Sequence, residues 1–222
     1  MSERDNRARY ARIAPVYDFV DGPFEALYRP GRLLIGAASV GLTLELGAGT
    51  GKTFPFYGPA ARVIASDLSW SMLARARRRL RPPIQALLVA DAGRLPLRDA
   101  SVDTVTAAFV CCVQADPGPA LCEIARVLRP GGRALFLEFV LPARGRLRRV
   151  MRLLEPPLRG LYGLHWRHEL PQQLAAAGLP VTEVRPVWGP MLQAIVAAKP
   201  AMNRPSSTRT PCSSVRPDSH GS

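Results

Sequence analysis

Short runs of apolar residues follow one another along most of the chain, separated by turns and amphipathic stretches. The first run alternates, with Leu42, Leu44 and Leu46 on one face, as is typical of a buried strand. Comparable apolar runs occupy residues 62–66, 84–89, 102–109, 133–139, 180–186 and 191–198. Helical patterns lie between several of these runs. Strands that alternate with helices favour a doubly wound α/β sheet.

Residues 1–40 predict an N-terminal cap of two helices ahead of the first strand. We expect the first helix, which carries Tyr17, to begin at Pro15, because proline fits the first turn of a helix. Pro23 is expected to open the second helix. Pro30 should interrupt that helix, because proline lacks the backbone donor that a helix interior needs.

Two more helices are predicted between the later strands. Ser69 suits the N-cap of one helix, and the helical spacing directs Leu73 and Leu80 inward. Asp116 suits the N-cap of the other. Residues 41–199 are expected to form a single α/β domain, since 222 residues suffice for one well-buried core but not comfortably for two.

The first strand runs into a glycine-rich loop, Glu-Leu-Gly-Ala-Gly-Thr-Gly-Lys-Thr, at residues 45–53. A phosphate-binding P-loop would need glycine at position 46, which is Leu46. A dinucleotide-binding loop would need glycine at position 52, which is Lys52. The pattern that remains is E-x-G-x-G-x-G, in which Glu45 precedes three alternate glycines, so the loop predicts a nucleotide ligand that is not held mainly by phosphate.

This loop resembles motif I of the class I S-adenosylmethionine (AdoMet) methyltransferases. Three further stretches resemble the same family: Asp-Thr-Val at residue 103, Glu-Ile-Ala-Arg-Val-Leu-Arg-Pro-Gly-Gly at residues 123–132, and Leu-Phe-Leu-Glu-Phe at residues 135–139. The resemblance covers roughly residues 10–199. It implies a Rossmann-like, mostly parallel seven-stranded sheet whose last two strands are antiparallel to the others, with AdoMet as cofactor.

The resemblance also implies which residues hold the cofactor. Asp67 ends the second strand, where a carboxylate can accept hydrogen bonds from both ribose hydroxyls. Asp91 ends the third strand and corresponds to the family's contact with the adenine amino group. Tyr17 lies in a segment, Tyr-Ala-Arg-Ile-Ala-Pro-Val-Tyr-Asp, that covers the cofactor in many relatives. The full expected set is Tyr17, Glu45, Gly47, Ala48, Gly49, Gly51, Asp67, Leu68, Asp91, Ala92 and Phe109.

The stretch Phe-Val-Cys-Cys-Val at residues 109–113, with Glu138 and His165, resembles a branch of small-molecule methyltransferases. That branch includes thiol, phospholipid and quinone methyltransferases, which implies a small, apolar or lipid-like acceptor. His165 is a candidate general base, because its near-neutral pKa suits proton removal. An ordinary polar role for His165 stays open. Glu138-Phe139 and Gly163-Leu164-His165 depart from the Glu-His and Gly-Cys-His of many relatives.

The formal charge of +13 raises nucleic acid as an alternative partner. All but Lys52 and Lys199 of the thirty basic residues are arginine, as a GC-rich genome alone would produce. The chain carries no Asn-Pro-Pro-Tyr or Pro-Cys motif of the kind found in base-modifying relatives, so no specific nucleic acid is expected. A third hypothesis is a phosphate-binding NTPase that uses Gly51-Lys52-Thr53.

A basic amphipathic insertion is predicted at residues 143–170. Leu147, Val150, Met151 and Leu154 share one helical face, arginines cover the other, and Pro156-Pro157 should break the helix. Such a helix at 144–154 is typical of peripheral contact with an anionic membrane, and equally of a lid that packs on its own domain. Both interpretations stay open.

The ends of the chain and its cysteines complete the expectations. Residues 200–222 are rich in Pro, Ser, Thr and Arg, which predicts a disordered tail. The polar N-terminus and the lack of an 18-residue apolar run predict a cytoplasmic protein. The four cysteines lack the spacing of a metal site, so no metal is expected.

Overall fold

The fold is an open sheet of seven strands with helices on both faces, seen in a computed structural model that describes residues 3–142, 144–166 and 170–201. The strand order is β3-β2-β1-β4-β5-β7-β6. The strands are β1 (Gly41–Leu46), β2 (Ala61–Asp67), β3 (Ile84–Val89), β4 (Val102–Ala108), β5 (Leu128–Phe139), β6 (Val181–Trp188) and β7 (Leu192–Ala198).

Strands β1 to β5 are parallel, whereas β7 pairs antiparallel with both β5 and β6. This confirms the Rossmann-like, mostly parallel sheet that the sequence predicted. The chain moves outward from β1 to β2 and β3, then returns to place β4 on the other side of β1. Connections therefore leave β1 and β4 in opposite directions, and a crevice opens beyond their carboxyl ends, where ligands bind in such sheets.

The helices are α1 (Glu3–Asp21), α2 (Glu25–Ala37), α3 (Trp70–Ala76), α4 (Gly118–Val127), α5 (Arg146–Tyr162) and α6 (Leu170–Ala176). Three predictions based on proline were wrong. Helix α1 starts twelve residues before Pro15 and runs through it, α2 continues past Pro30, and α5 continues past Pro156. A proline removes one helical hydrogen bond, and contacts on both sides compensate: in α1 the rings of Tyr10 and Tyr17 pack with their centroids 6.4 Å apart.

Two boundaries also differ from the predicted ones. Helix α3 ends at Ala76, so Leu80 lies beyond it and is 43% exposed instead of facing inward. Strand β5 begins at Leu128, five residues earlier than expected, because Val102 of β4 pairs with Leu128 ahead of the glycine pair that follows. The predicted tail lies outside the described residues from residue 202 onwards.

The core lies on the two faces of the central strands. One cluster fills the side covered by α4 and α6, with Leu46, Val105, Leu121 and Phe136 nearly or fully excluded from solvent. Membrane-spanning helices are not found in the described parts of the chain, since none of their helices has the length and apolar character that crossing a bilayer requires.

Candidate active site

An open pocket lies beyond the carboxyl ends of β1 to β4, under α1. Its wall consists of Tyr10, Tyr17, Gly47, Gly49, Asp67, Leu68, Ser69, Met72, Asp91, Ala92, Ala108, Phe109, Val110, Val113 and Gln114. Most of the residues predicted to hold a cofactor therefore meet in one place. Four predicted site residues do not line this wall: Glu45, Ala48, Gly51 and His165.

The glycine loop forms the floor of the pocket because its backbone takes conformations that side chains disfavour. Gly47 and Gly49 have φ angles of +62° and +57°, in the left-handed region where only glycine is unstrained. A Cβ atom on Gly47 would also lie 2.5 Å from Cγ2 of Val110. Glycine is therefore needed at position 47 for two reasons: the backbone conformation and the close approach of Val110, which follows the end of β4.

Asp67 connects the end of β2 to the glycine loop. Its Oδ2 accepts the backbone N–H of Gly49 at 2.8 Å, and its Oδ1 accepts that of Ser69 at 2.8 Å. Burial raises the pKa of Asp67, and these two N–H groups oppose that rise. Each carboxylate oxygen has a second lone pair, so Asp67 can still accept hydrogen bonds from ligand hydroxyls.

Asp91 occupies the equivalent position after β3. Its Oδ1 accepts the N–H of Gly93 at 2.8 Å, and its backbone pairs with that of Arg94 in a short bridge. The turn fixes the carboxylate and directs Asp91 and Ala92 to the pocket wall. The two acidic residues thus stand at adjacent strand ends on one side of the pocket.

Glu45 lies below the loop within β1 and is 2% exposed. Burial raises the pKa of Glu45 to about 7, although hydrogen bonds with the side chains of Thr53 and Tyr57 and the nearby charge of Arg32 lower it. Its Oε2 atom has no hydrogen-bond partner in the described part of the chain. Ala48 and Gly51 are likewise buried in the loop.

Several polar contacts hold helix α1 across the pocket. Asp18 accepts a hydrogen bond from the hydroxyl of Thr50 at 2.7 Å and one from the guanidinium of Arg79 at 2.8 Å. Arg79 also donates to the carbonyl of Thr50 at 2.6 Å. Val16 and Phe19 on the same helix are exposed. These charges therefore hold α1 where Tyr10 and Tyr17 reach the pocket.

Lys52 is also bound to the N-terminal helices. Its Nζ forms ion pairs with Asp21 at 2.5 Å and Glu25 at 3.4 Å, and it lies 5.7 Å from the ring centroid of Tyr17. The neighbouring Thr53 accepts a hydrogen bond from Arg32 at 3.1 Å. Both residues that suggested a phosphate-binding loop therefore serve to attach α1 and α2 to the glycine loop.

Phe109 begins the opposite wall in a strained conformation, with a φ angle of +59°. Its ring lies 4.8 Å from that of Tyr28 and 5.4 Å from that of Phe139, measured between centroids. The guanidinium of Arg32 lies 5.5 Å from the centre of the Phe109 ring. The aromatic contacts hold Phe109 in place, so this side of the pocket is apolar.

His165 lies next to this wall but not in it. Its backbone N–H donates to the carbonyl of Cys112, in a single-turn helix (Cys111–Val113) directly after Phe109 and Val110. The imidazole is half-buried. Its role as a general base stays a prediction.

Sequence reasoning missed several residues of the wall. Tyr10 begins the segment that predicted Tyr17 and lies two helical turns before it on the same face, so its signal was present. Met72 and Gln114 carry no motif, and only the packing of α3 and of the turn after β4 brings them to the pocket. Burial raises the pKa of Tyr10 and of Tyr17, so both phenols stay protonated at neutral pH.

Comparison with known proteins agrees with this geometry. Residues 44–136 match the family model described as a methyltransferase domain. The chain is 33% identical to the phosphatidylethanolamine N-methyltransferase of Cereibacter sphaeroides, over 68% of this chain and 77% of that protein. It is 34% identical to a ubiquinone/menaquinone biosynthesis C-methyltransferase of Syntrophotalea carbinolica, over 76% and 71%.

The fold is also similar to that of a solved methyltransferase from Haloferax volcanii, crystallised in complex with the methyltransferase activator Trm112. The TM-score is 0.72 with 21% sequence identity, and the match covers 89% of this chain and 99% of the other. At this identity the comparison concerns the fold alone.

The buried carboxyl of Glu45 predicts an unusual dependence of stability on pH. A pKa raised from 4.5 to about 7 stabilises the folded protein below the unfolded pKa, and that stabilisation is lost as the pH rises through 7. The variant Glu45→Gln cannot ionise. Its free energy of unfolding relative to wild type should therefore grow by about 3 kcal/mol from about pH 4 to pH 8, measured by urea unfolding without ligand.

Glu123→Gln is the matched control for this experiment. Partial burial raises the pKa of Glu123, but hydrogen bonds from Arg126 and from the Leu95 N–H outweigh it and lower the pKa overall. Its contribution to stability is present above the unfolded pKa and is lost as the pH falls, so the control should show the opposite slope. A Glu45→Gln difference that stays constant with pH would contradict the buried, proton-binding role.

Removing the polar contacts that hold α1 should make ligand exchange faster. Asp18→Ala deletes the acceptor of both Thr50 and Arg79, so AdoMet should dissociate about tenfold faster, as expected for the loss of about 1–2 kcal/mol of polar contacts. Stopped-flow displacement would measure this. Asp99→Ala, which removes a surface ion pair with Arg126 away from α1, should leave the rate unchanged.

Proposed function

Because the chain belongs to the AdoMet-dependent methyltransferases, we propose that it transfers a methyl group to a small, apolar or lipid-like acceptor. The acceptor classes are a lipid head group, a quinone precursor and a thiol. The observation that carries this proposal is the apolar wall of Phe109, Val110 and Val113. This wall belongs to the same pocket as Asp67 and Asp91. The names of the two curated relatives, a phospholipid and a quinone methyltransferase, support the same range.

The residues of the pocket fit AdoMet in chemistry and in space. Gly47 and Gly49 line the pocket without side chains, so a ligand can approach their bare backbone closely. We infer that Asp67 accepts the ribose hydroxyls and that Asp91 with Ala92 binds the adenine. The unpaired Oε2 of Glu45 can serve the positively charged amino-acid end. Tyr17 would cover the cofactor from α1.

When bound, AdoMet would supply a methyl group on a positively charged sulfur. The acceptor atom would attack the methyl carbon in line with the carbon–sulfur bond, which breaks. The protein's part is to hold the acceptor against Phe109 and Val110 and to exclude water. Such positioning can contribute up to about 7–11 kcal/mol to catalysis. The aromatic faces of Tyr17 and Phe109 suit a neighbouring cation.

Proton removal depends on the acceptor. A thiolate needs no base, whereas an amine or a carbon acid has to lose a proton. We propose that His165, tied to the wall through Cys112, receives that proton for acceptors of the second kind. His165→Gln should then abolish transfer to an amine or carbon acid and leave transfer to a thiol unchanged.

Helix α5 supports contact with a membrane surface as the route to a lipid-like acceptor. Of its predicted apolar face Met151 is buried and Leu147 is half-buried, while Val150 and Leu154 are 52% and 47% exposed. Leu153, outside that face, is 78% exposed. Exposed arginines on the same helix and just before it are Arg144, Arg146, Arg149, Arg152 and Arg159. Exposed leucines among arginines suit an anionic bilayer, which accepts both.

A sedimentation assay tests the membrane contact. The protein should pellet with vesicles that contain phosphatidylglycerol at low salt, and Leu153→Asn with Leu154→Asn should weaken this binding at least about fivefold, since each buried leucine contributes on the order of 1 kcal/mol or more. Leu80→Asn, an exposed leucine elsewhere, is the control. Wild-type protein that stays in the supernatant would contradict the contact.

Titration calorimetry tests the cofactor residues. We expect micromolar binding of AdoMet and none of ATP, and Asp67→Ala should weaken AdoMet binding at least about a hundredfold, because it removes hydrogen bonds to the ligand and to the glycine loop. Lys52→Ala should bind AdoMet with an affinity within about tenfold of wild type, because the Lys52 ammonium forms ion pairs with Asp21 and Glu25. Tight ATP binding that Lys52→Ala abolishes would overturn this proposal in favour of an NTPase.

Methyl transfer itself identifies the acceptor. The protein is incubated with methyl-labelled AdoMet and, separately, phosphatidylethanolamine vesicles, demethylmenaquinone in detergent, an aromatic thiol, and RNA or DNA. Label is expected in one of the first three. Label in nucleic acid alone would contradict the proposed acceptor class and support the alternative raised by the positive charge of the chain.

A further inference from the structure

Glu138 is a carboxylate buried at the carboxyl end of β5, 1% exposed, and it accepts hydrogen bonds from three consecutive backbone N–H groups. Its Oε1 accepts from Val110 and Cys111, both at 2.8 Å, and its Oε2 accepts from Cys112 at 3.0 Å. The thiol of Cys112 is a fourth partner of the same carboxylate.

These partners explain why a carboxylate occupies the site. Burial raises the pKa of Glu138, whereas the four donors favour its ionised form. The donors belong to the turn after β4, where the chain leaves the sheet and its N–H groups lose their strand partners. Removing Glu138 would take away the acceptor that these buried N–H groups use here, which is costly.

The same turn forms the apolar wall of the pocket. Val110 and Val113 line the pocket, and Val110 also packs against Gly47 of the glycine loop. The carbonyl of Cys112 accepts the N–H of His165. One buried carboxylate thus connects β5 with the wall, with the glycine loop and with the segment that carries His165.

We propose that Glu138 is a positioning residue for methyl transfer: it holds the turn 110–112 so that the wall presents the acceptor to the cofactor. The inference rests on the proposed function in one respect, that the acceptor lies against Val110 and Val113. Glu138 itself does not line the pocket. Gly49, Asp67 and Asp91 on the cofactor side are held by hydrogen bonds that do not involve Glu138.

Glu138→Gln is the informative variant because it keeps the size of the side chain. The amide oxygen can still accept from Val110 and Cys111. The amide NH2 group, however, replaces Oε2 and meets the N–H of Cys112, so two donors face each other. The turn should therefore loosen at Cys112 without a cavity in the core.

Asp103→Asn is the matched control. Asp103 also accepts a backbone N–H, that of Leu42 at 2.8 Å, together with a hydrogen bond from Arg129. It lies near the start of β4, at the opposite end of the strand from the pocket. A general loss of stability would appear in both variants, whereas a loss of positioning would appear only in Glu138→Gln.

The test combines amide hydrogen exchange, AdoMet titration and steady-state kinetics. The kinetics use whichever acceptor the wild-type protein methylates in the assay with labelled AdoMet. In Glu138→Gln we expect faster exchange at residues 110–112 and AdoMet affinity within about threefold of wild type. We expect kcat/KM for the acceptor to fall at least about tenfold, because a small displacement of the acceptor from the cofactor lowers the rate strongly. Asp103→Asn should match wild type in all three measurements at the pocket.

The inference is overturned if exchange at 110–112 is unchanged, if AdoMet affinity falls as much as kcat/KM, or if the control loses as much activity. Failure of the proposed function has a different signature, in which wild-type protein methylates none of the three acceptors. Exchange and AdoMet affinity then still decide whether Glu138 holds this wall independently of the cofactor side.

Discussion

Backbone N–H groups that leave a parallel sheet at its carboxyl end lose their strand partners, and the pocket of this protein depends on how they are paired. Two carboxylates pair them, one half-buried and one buried. Asp67 accepts from Gly49 and Ser69 on the cofactor side, and Glu138 accepts from the turn 110–112 on the other side. Because unpaired buried donors are costly, both walls of the pocket are fixed before any ligand arrives.

The cover of the pocket follows a different principle. Helix α1 leaves Val16 and Phe19 in solvent and is held in part by ion pairs, Asp18 with Arg79 and Lys52 with Asp21. Such contacts are weaker and more readily broken than a packed apolar face. A rigid floor under a lightly held cover suits an enzyme that has to exchange one cofactor molecule for another in each turnover.

Local signals predicted much of this structure, and their failures have physical causes. The glycines, Asp67 and Asp91 were predicted from the loop pattern, the strand ends and the resemblance to methyltransferases, and the structure brings Gly47, Gly49, Asp67 and Asp91 to one pocket. Prolines misled the helix boundaries, because the one hydrogen bond that a proline removes did not end α1, α2 or α5. The Gly-Lys-Thr triplet suggested phosphate, yet its lysine pairs with carboxylates about thirty residues earlier in the chain.

By itself the sequence determined the alternation of strands and helices, the glycine loop and the acidic residues that follow the second and third strands, because each depends on residues close together in the chain. Tertiary structure alone decided that Glu45 lies beneath the loop, that Met72 and Gln114 reach the pocket, and that Glu138 holds the opposite wall. These features arise where strands distant in sequence come side by side, and the burial and hydrogen bonds created there have no counterpart in any local pattern.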